Sequence, residues 1–298
     1  MRIGGRVAPP HPDPLPPLAR GKRGKGPRPA AAPGHRAMFD YDFMRHAFAA
    51  AAIVGVLAGV VGWFLVLRAQ TFAGHALGHI GFAGATGAAL IGLAPLWGLV
   101  GMTLAGGVAM GLLGERLAQR DVAIGIVLAF ALGLGLLFLH FYTAYASEAT
   151  ALLFGNLLGV DRRTVWILAG LGAVSLGGMA LIARPLLFAS LQPELAAARG
   201  VNPRLVSVLF LAVAAIATAE SAEIVGVLLV FALLVGPAAA AQRLTPRIGA
   251  GMALAAALAV AEGWAGLAAA YYTDWPSTFW IATFSAGVYL LTGLTPRR

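Results

Sequence analysis

The chain reads as an all-α, polytopic integral membrane protein with eight to ten transmembrane helices and a short helix on its cytoplasmic face. Three observations predict this. Hydrophobic residues make up 59% of the 298 and charged residues only 11%, where a soluble chain carries about a quarter charged. The mean hydropathy is +0.83. Apolar runs close to the roughly 20 residues that a bilayer requires recur along most of the sequence. There is no cysteine, so a disulfide framework and a thiolate site are excluded, and a metal can be held only by histidine, carboxylate or water.

Residues 1–37 differ from the rest. They hold both lysines, Lys22 and Lys25, and six arginines in a Pro/Gly-rich stretch that cannot build a core. Beyond them 13 arginines face 11 acids, so the net charge of +9 does not point to nucleic acid. The stretch lacks the apolar run of a signal peptide. The expected organisation is a disordered basic tail over 1–37, with Met38 as the expected true start, and a transmembrane domain over 38–298.

Candidate spans follow at about 44–67, 72–93, 95–113, 122–141, 164–184, 203–219, 222–241, 248–270 and 277–294. Arginine-rich connections alternate with arginine-poor ones. Arg68, Arg116 with Arg120, Arg184 to Arg204, Arg243 with Arg247, and Arg297 with Arg298 fall on one side. The positive-inside rule makes that side cytoplasmic, which puts the amino end outside and the carboxyl end inside. The run 149–160 is too short to cross and suits a re-entrant or interfacial helix. Gly55/Gly59 and Gly107/Gly111 have the spacing of close helix packing. Tyr271, Tyr272, Trp275 and Trp280 suit an interfacial aromatic belt.

Chemistry concentrates in Phe72–Gly84, FAGHALGHIGFAG. His75 and His79 are four residues apart, which stacks two imidazoles on one helix face. Imidazoles in hydrocarbon need a partner, a metal or a water-lined path. A paired spacing favours a metal over simple helix–helix glue. Ala76 stands where an H-E-x-x-H metalloprotease carries its general base, so the pair suits holding an ion, not activating water. No G-x-S-x-G is present; Thr283–Gly287 lacks its first glycine. No catalytic residue is therefore assigned, and no phosphate loop exists for ATP.

Other stretches stand out. In ARPLLFASLQPELAAARGVNPR, Pro193 can open a short helix, Glu194 favours its positive end, and Arg199-Gly200 can end it. A short amphiphilic helix there could dock a motor subunit, or be a solvated loop. Glu220 and Glu223 fall in an expected tight turn on the outer face, where they either draw cations toward a pore or merely solvate the turn. Glu262 lies mid-span, where an acid is expensive. Pro237 interrupts its span and frees a carbonyl near Leu233, and such irregular backbone is tolerated mainly beside a cavity or under protein cover.

Four segments together resemble the membrane subunit of zinc/manganese-type ATP-binding-cassette importers. TFAGHALGHIGFAG resembles the family's pore motif G-D-A-L-S-H-A, and RDVAIGIVLAFALGLGLLF its D-x-A-I-G-I segment. ALLFGNLLGV resembles L-F-G-D-x-L-x-V, and PELAAARGVN followed by EIVGVLLVFALLVGPAAAA resembles the coupling loop and the helix after it. The resemblance spans most of 40–295 and implies a permease in a bacterial inner membrane that works as a homodimer. Its implied partners are a cytoplasmic ATPase and an extracytoplasmic metal-binding protein. It implies His75 and His79 as the metal path, with His75 in place of the family's Asp. It implies ATPase coupling through Pro193, Glu194, Leu195, Ala196, Ala197, Ala198, Arg199 and Gly200. No permanently bound cofactor is expected; the cargo would be zinc first, since imidazole suits zinc and carboxylate suits manganese, with manganese and iron open. Glu220, Glu223, Glu262 and Pro237 are carried as possible ion-path residues. A proton-coupled secondary transporter using Glu262 is the alternative, and an intramembrane hydrolase the third reading.

Overall fold

A computed structural model gives the fold and describes residues 38–113, 117–141 and 153–294. The expected tail, the charges at 115, 116, 297 and 298, and the first four residues of the short run from 149 lie outside the described residues. The described residues contain no strand. Ten α-helices follow in order: α1 Asp42–Leu67, α2 Thr71–Leu90, α3 Pro95–Leu113, α4 Leu117–Phe141, α5 Arg162–Leu191, α6 Pro193–Ala198, α7 Pro203–Val225, α8 Val230–Leu244, α9 Ile248–Thr273 and α10 Ser277–Gly293. Among the described residues, α1, α3, α4, α5, α7 and α9 are long and apolar enough to cross a bilayer. The chain is thus a polytopic all-α membrane protein.

Small residues set the packing. Gly55 and Gly59 of α1 lie against the backbone of α9 at Val260 and Ala256. Gly107 and Gly111 of α3 meet α7 at Leu211 and Val208. Gly84 of α2 and Gly98 of α3 face each other so closely that either Cβ would strike the other's carbonyl. Close backbone approach is how helices gain van der Waals contact where lipid offers no hydrophobic drive. Apolar side chains of α4 such as Ile126 and Phe130 point outward, as lipid-facing residues do.

Helix ends meet as alternating crossings require. Arg68 beyond α1 donates to Ser190 of α5, Arg204 of α7 to the Leu112 carbonyl of α3, and Arg243 of α8 to Tyr289 of α10. Arg243 also lies 3.9 Å above the Tyr289 ring. At the α9–α10 turn, Trp275 and Trp280 stack at 5.7 Å and Trp280 donates to Thr273, consistent with an interfacial belt.

Three sequence expectations change. Helix α5 does not stop at Arg184 but runs through Pro185 to Leu191. Proline costs the helix one amide, while the fully buried Leu186 beside it anchors the extra turns. Helix α8 likewise runs through Pro237 without breaking. The third change concerns Glu220 and Glu223, which lie in the last turns of α7 and not in a turn. Alanine and glutamate are good helix formers, and Ser221 satisfies its hydroxyl on the Ala217 carbonyl at 2.7 Å.

The break comes at Gly226, with φ +87°. There it backs onto Gly155, φ +81°, so tightly that neither position has room for a Cβ, and the Leu228 amide donates to the Leu153 carbonyl. Within the short run expected as a re-entrant or interfacial helix, the described residues are helical at Leu153 and Phe154 and form a 3-10 turn at Leu157–Gly159. Two left-handed glycines in contact are what permit this crossing.

Candidate metal path

His75 and His79 lie one turn apart on α2, both half-buried, as the spacing predicts. Their ring centroids are 4.7 Å apart and the planes meet at 82°. The other flanks of α2 are closed by glycine contacts. A Cβ at Gly81 would come within 2.8 Å of Leu99 and Thr103 on α3, and one at Gly78 within 2.8 Å of Val230 Cγ1. Gly78, between the two histidines, therefore lets the α7–α8 break rest on α2, with the Val227 carbonyl 3.5 Å from that Cβ position.

Phe231, in the first turn of α8, meets the His75 ring edge-on at 5.5 Å. Together with Thr71, Phe72 and His75 it lines a cavity of about 260 Å³. Thr71 and Phe231 also border a larger cavity of about 510 Å³ between α8 and α10, walled by Ala232, Val235, Gly236, Ser285 and Tyr289 among others. His75 of the pair thus lines the first of two adjoining cavities. Phe231 was not legible in the sequence: one aromatic in an apolar run carries no signal until the break at Gly226 places it beside His75.

Among the described residues no third His, Asp or Glu joins the pair in a metal-ligand cluster. Glu220 is fully buried and both its oxygens lack partners. It faces α5, where Oε2 lies 3.5 Å from the Cβ position of Gly172. Thr218 is the α7 residue that meets Gly78 on α2, its methyl at 3.9 Å. Glu223 is half-buried. Glu262, 3% exposed, is buried on α9, and both of its oxygens lack hydrogen-bond partners. Pro237 sits in the buried face of α8. The acids and the imidazoles are thus separate features.

At the other end of the chemistry, α6 forms as read: Pro193 opens it, Glu194 lies in its first turn, and Arg199 caps it. Gly200 follows with φ +81°. Leu195, Ala197 and Ala198 are exposed and Ala196 is buried, leaving Leu195 as the one large apolar side chain of α6 that faces outward for a partner. Asn202 then caps α7 by accepting from the Arg204 and Leu205 amides.

A helical bundle of this kind, carrying an ion-compatible imidazole pair and a short helix between two spans, defines a membrane permease. The chain belongs to the ABC 3 transport family, whose sequence profile matches residues 40–295. It is 31% identical over 231 residues, 77% of this chain and 79% of the relative, to the "Manganese transport system membrane protein MntC" of Halalkalibacterium halodurans. The "Manganese import system permease protein ScaB" of Streptococcus gordonii is 27% identical over 86% of this chain and 92% of its own. Among solved structures, PsaBC from Streptococcus pneumoniae in complex with Fab superposes with a TM-score of 0.78 at 25% identity, covering 87% of this chain and 94% of that one.

The protein is therefore a permease of a metal ATP-binding-cassette importer, a multi-pass protein of a bacterial plasma membrane, and not an enzyme. ATP hydrolysis belongs to a separate component, and a substrate-binding partner is implied. The secondary-transporter alternative, with Glu262 as proton carrier, is not favoured.

Proposed function

We propose that the chain imports zinc, passing the ion along α2 at His75 and His79 by alternating access in a homodimer. The observation that carries this is the imidazole pair, 4.7 Å apart, with His75 lining a cavity. Two neutral nitrogens bind a divalent ion weakly, and a way-station must release what it binds. A second copy would add two more nitrogens, for four in all, the number a tetrahedral zinc takes. Of the two acids, only the half-buried Glu223 would raise the local cation concentration near the path, since Glu220 is fully buried against α5. The ATPases would act through Pro193–Gly200, with Leu195 and Glu194 as the exposed contacts.

Manganese is the second reading, because relatives are named for it. Manganese prefers oxygen donors, and His75 removes the carboxylate that the family's pore motif provides. The test is uptake by proteoliposomes holding the permease and its cognate ATPase, offered zinc, manganese and iron in turn. Zinc should be imported fastest by the wild type, and His75→Asp should shift preference toward manganese by roughly tenfold or more. A wild type that prefers manganese, with His75→Asp unchanged, would overturn the zinc assignment.

A further inference from the structure

Glu262 is absorbed by nothing above. It sits on α9, which packs against α1, α8 and α10, and a Cβ at the next residue, Gly263, would meet Ala51 of α1 at an ordinary 3.4 Å. Neither carboxyl oxygen has a hydrogen-bond partner, and no ion pair reaches it among the described residues. Burying a carboxylate this way costs several kcal/mol unless a positive charge accompanies it.

Ser285 of α10 faces the carboxyl but does not satisfy it, because its hydroxyl donates instead to the Ala232 carbonyl of α8 at 2.9 Å. With its one proton committed, Ser285 Oγ offers Glu262 only lone pairs. Gly236 holds this arrangement, since any Cβ there would overlap Ser285 Oγ. On the same stretch of α8, Pro237 brings no amide proton, so the Leu233 carbonyl lacks the donor a helix supplies four residues on. Oxygen acceptors without a donor thus occur on α9, at Glu262, and on α8, at the carbonyl that Pro237 frees, while Ser285 of α10 is tied to α8. The cavity of about 510 Å³ is lined by Ser285, Gly236 and Ala232, which brings a small ion as far as Ser285.

We propose that Glu262 and Ser285, with carbonyls of the Ala232–Pro237 turn, form a buried site for a monovalent alkali cation of sodium size. One carboxylate neutralises one positive charge; a divalent ion would leave a net charge in a low-dielectric interior. A carbonyl that proline frees within a continuous helix is a ligand such an ion can take at membrane depth. A proton would satisfy one contact only and leave the remaining acceptors bare, whereas a cation draws several together. Occupancy would fasten α8 to α9 and α10, and α8 carries Phe231 at His75. The site rests on its own geometry and stands whichever divalent metal is imported.

The full-length protein in lipid nanodiscs is melted at rising NaCl, with choline chloride holding ionic strength constant. The wild type should gain a saturable rise in Tm of at least about 3 °C. Glu262→Gln should show no rise, and Ser285→Ala should need about tenfold more sodium for the same rise. If Glu262→Gln fails to fold, Ser285→Ala carries the comparison alone. A wild-type Tm indifferent to sodium, or an equal rise in wild type and Ser285→Ala, would overturn the site. So would an infrared carboxylic-acid band that sodium leaves in place and Glu262→Gln removes, since the occupant would then be a proton.

Discussion

His75 and His79 are presented on the one face of α2 that glycine contacts leave open, so each can be tested without disturbing the helix seam. His79→Ala should lower ATP-driven uptake by at least about tenfold while the protein still purifies at the wild-type yield and Tm. Gly78 differs in kind: its Cβ position lies 2.8 Å from Val230 Cγ1. Gly78→Leu should destabilise the α2 contact with the α7–α8 break by about 1–3 kcal/mol, read as a lowered Tm in detergent. The histidine pair was legible from spacing alone. Phe231 and the direction of Glu220 were not, because both depend on where a break falls between two apolar helices.

Elements were legible where hydropathy and length agree, as in α1, α3 and α9. They were misjudged where polar residues mimic a turn. The cluster Ala219–Glu223 reads as a loop by polarity, yet it continues α7, since good helix formers outvote a buried acid until Gly226 adopts φ +87°. The span expected to end at 184 runs on for the opposite reason: Pro185 removes one amide but does not end a helix whose next residue is fully buried.

The N-terminus of α5 is held by Asp161, whose carboxylate accepts from the Thr164 amide at 2.8 Å. Hydrogen bonds from Thr164, its side chain first and that amide second, lower the Asp161 pKa below its usual 3.8, and the Arg163 charge adds to them. A depressed pKa contributes stability above the unfolded value that is lost as pH falls through the folded one. Asp161→Ala should therefore melt below the wild type at neutral pH and coincide with it in acid. For α6, Leu195→Asp should uncouple the ATPase, with hydrolysis persisting while uptake falls by at least about tenfold.

On the scale of the whole molecule, the described helix ends fix which termini share a side, and the arginines fix which side that is. The absence of native cysteine makes this testable in intact cells. Arg199→Cys, after α6, should resist a membrane-impermeant maleimide, and Asp274→Cys, between α9 and α10, should react; the reverse pattern would invert the topology. Import itself needs two further components that the sequence lacks, a motor and a metal-delivering partner, which is why no phosphate loop or nucleophile appears in the chain.

The central claim is that ions cross beside the imidazoles of α2 under the drive of a separate ATPase. Radioactive zinc uptake into proteoliposomes containing permease and ATPase, comparing wild type with His75→Ala/His79→Ala, tests it most directly. ATP-dependent accumulation is expected in the wild type and its loss in the double variant, with ATPase binding intact. Accumulation at the wild-type rate in the double variant would contradict it.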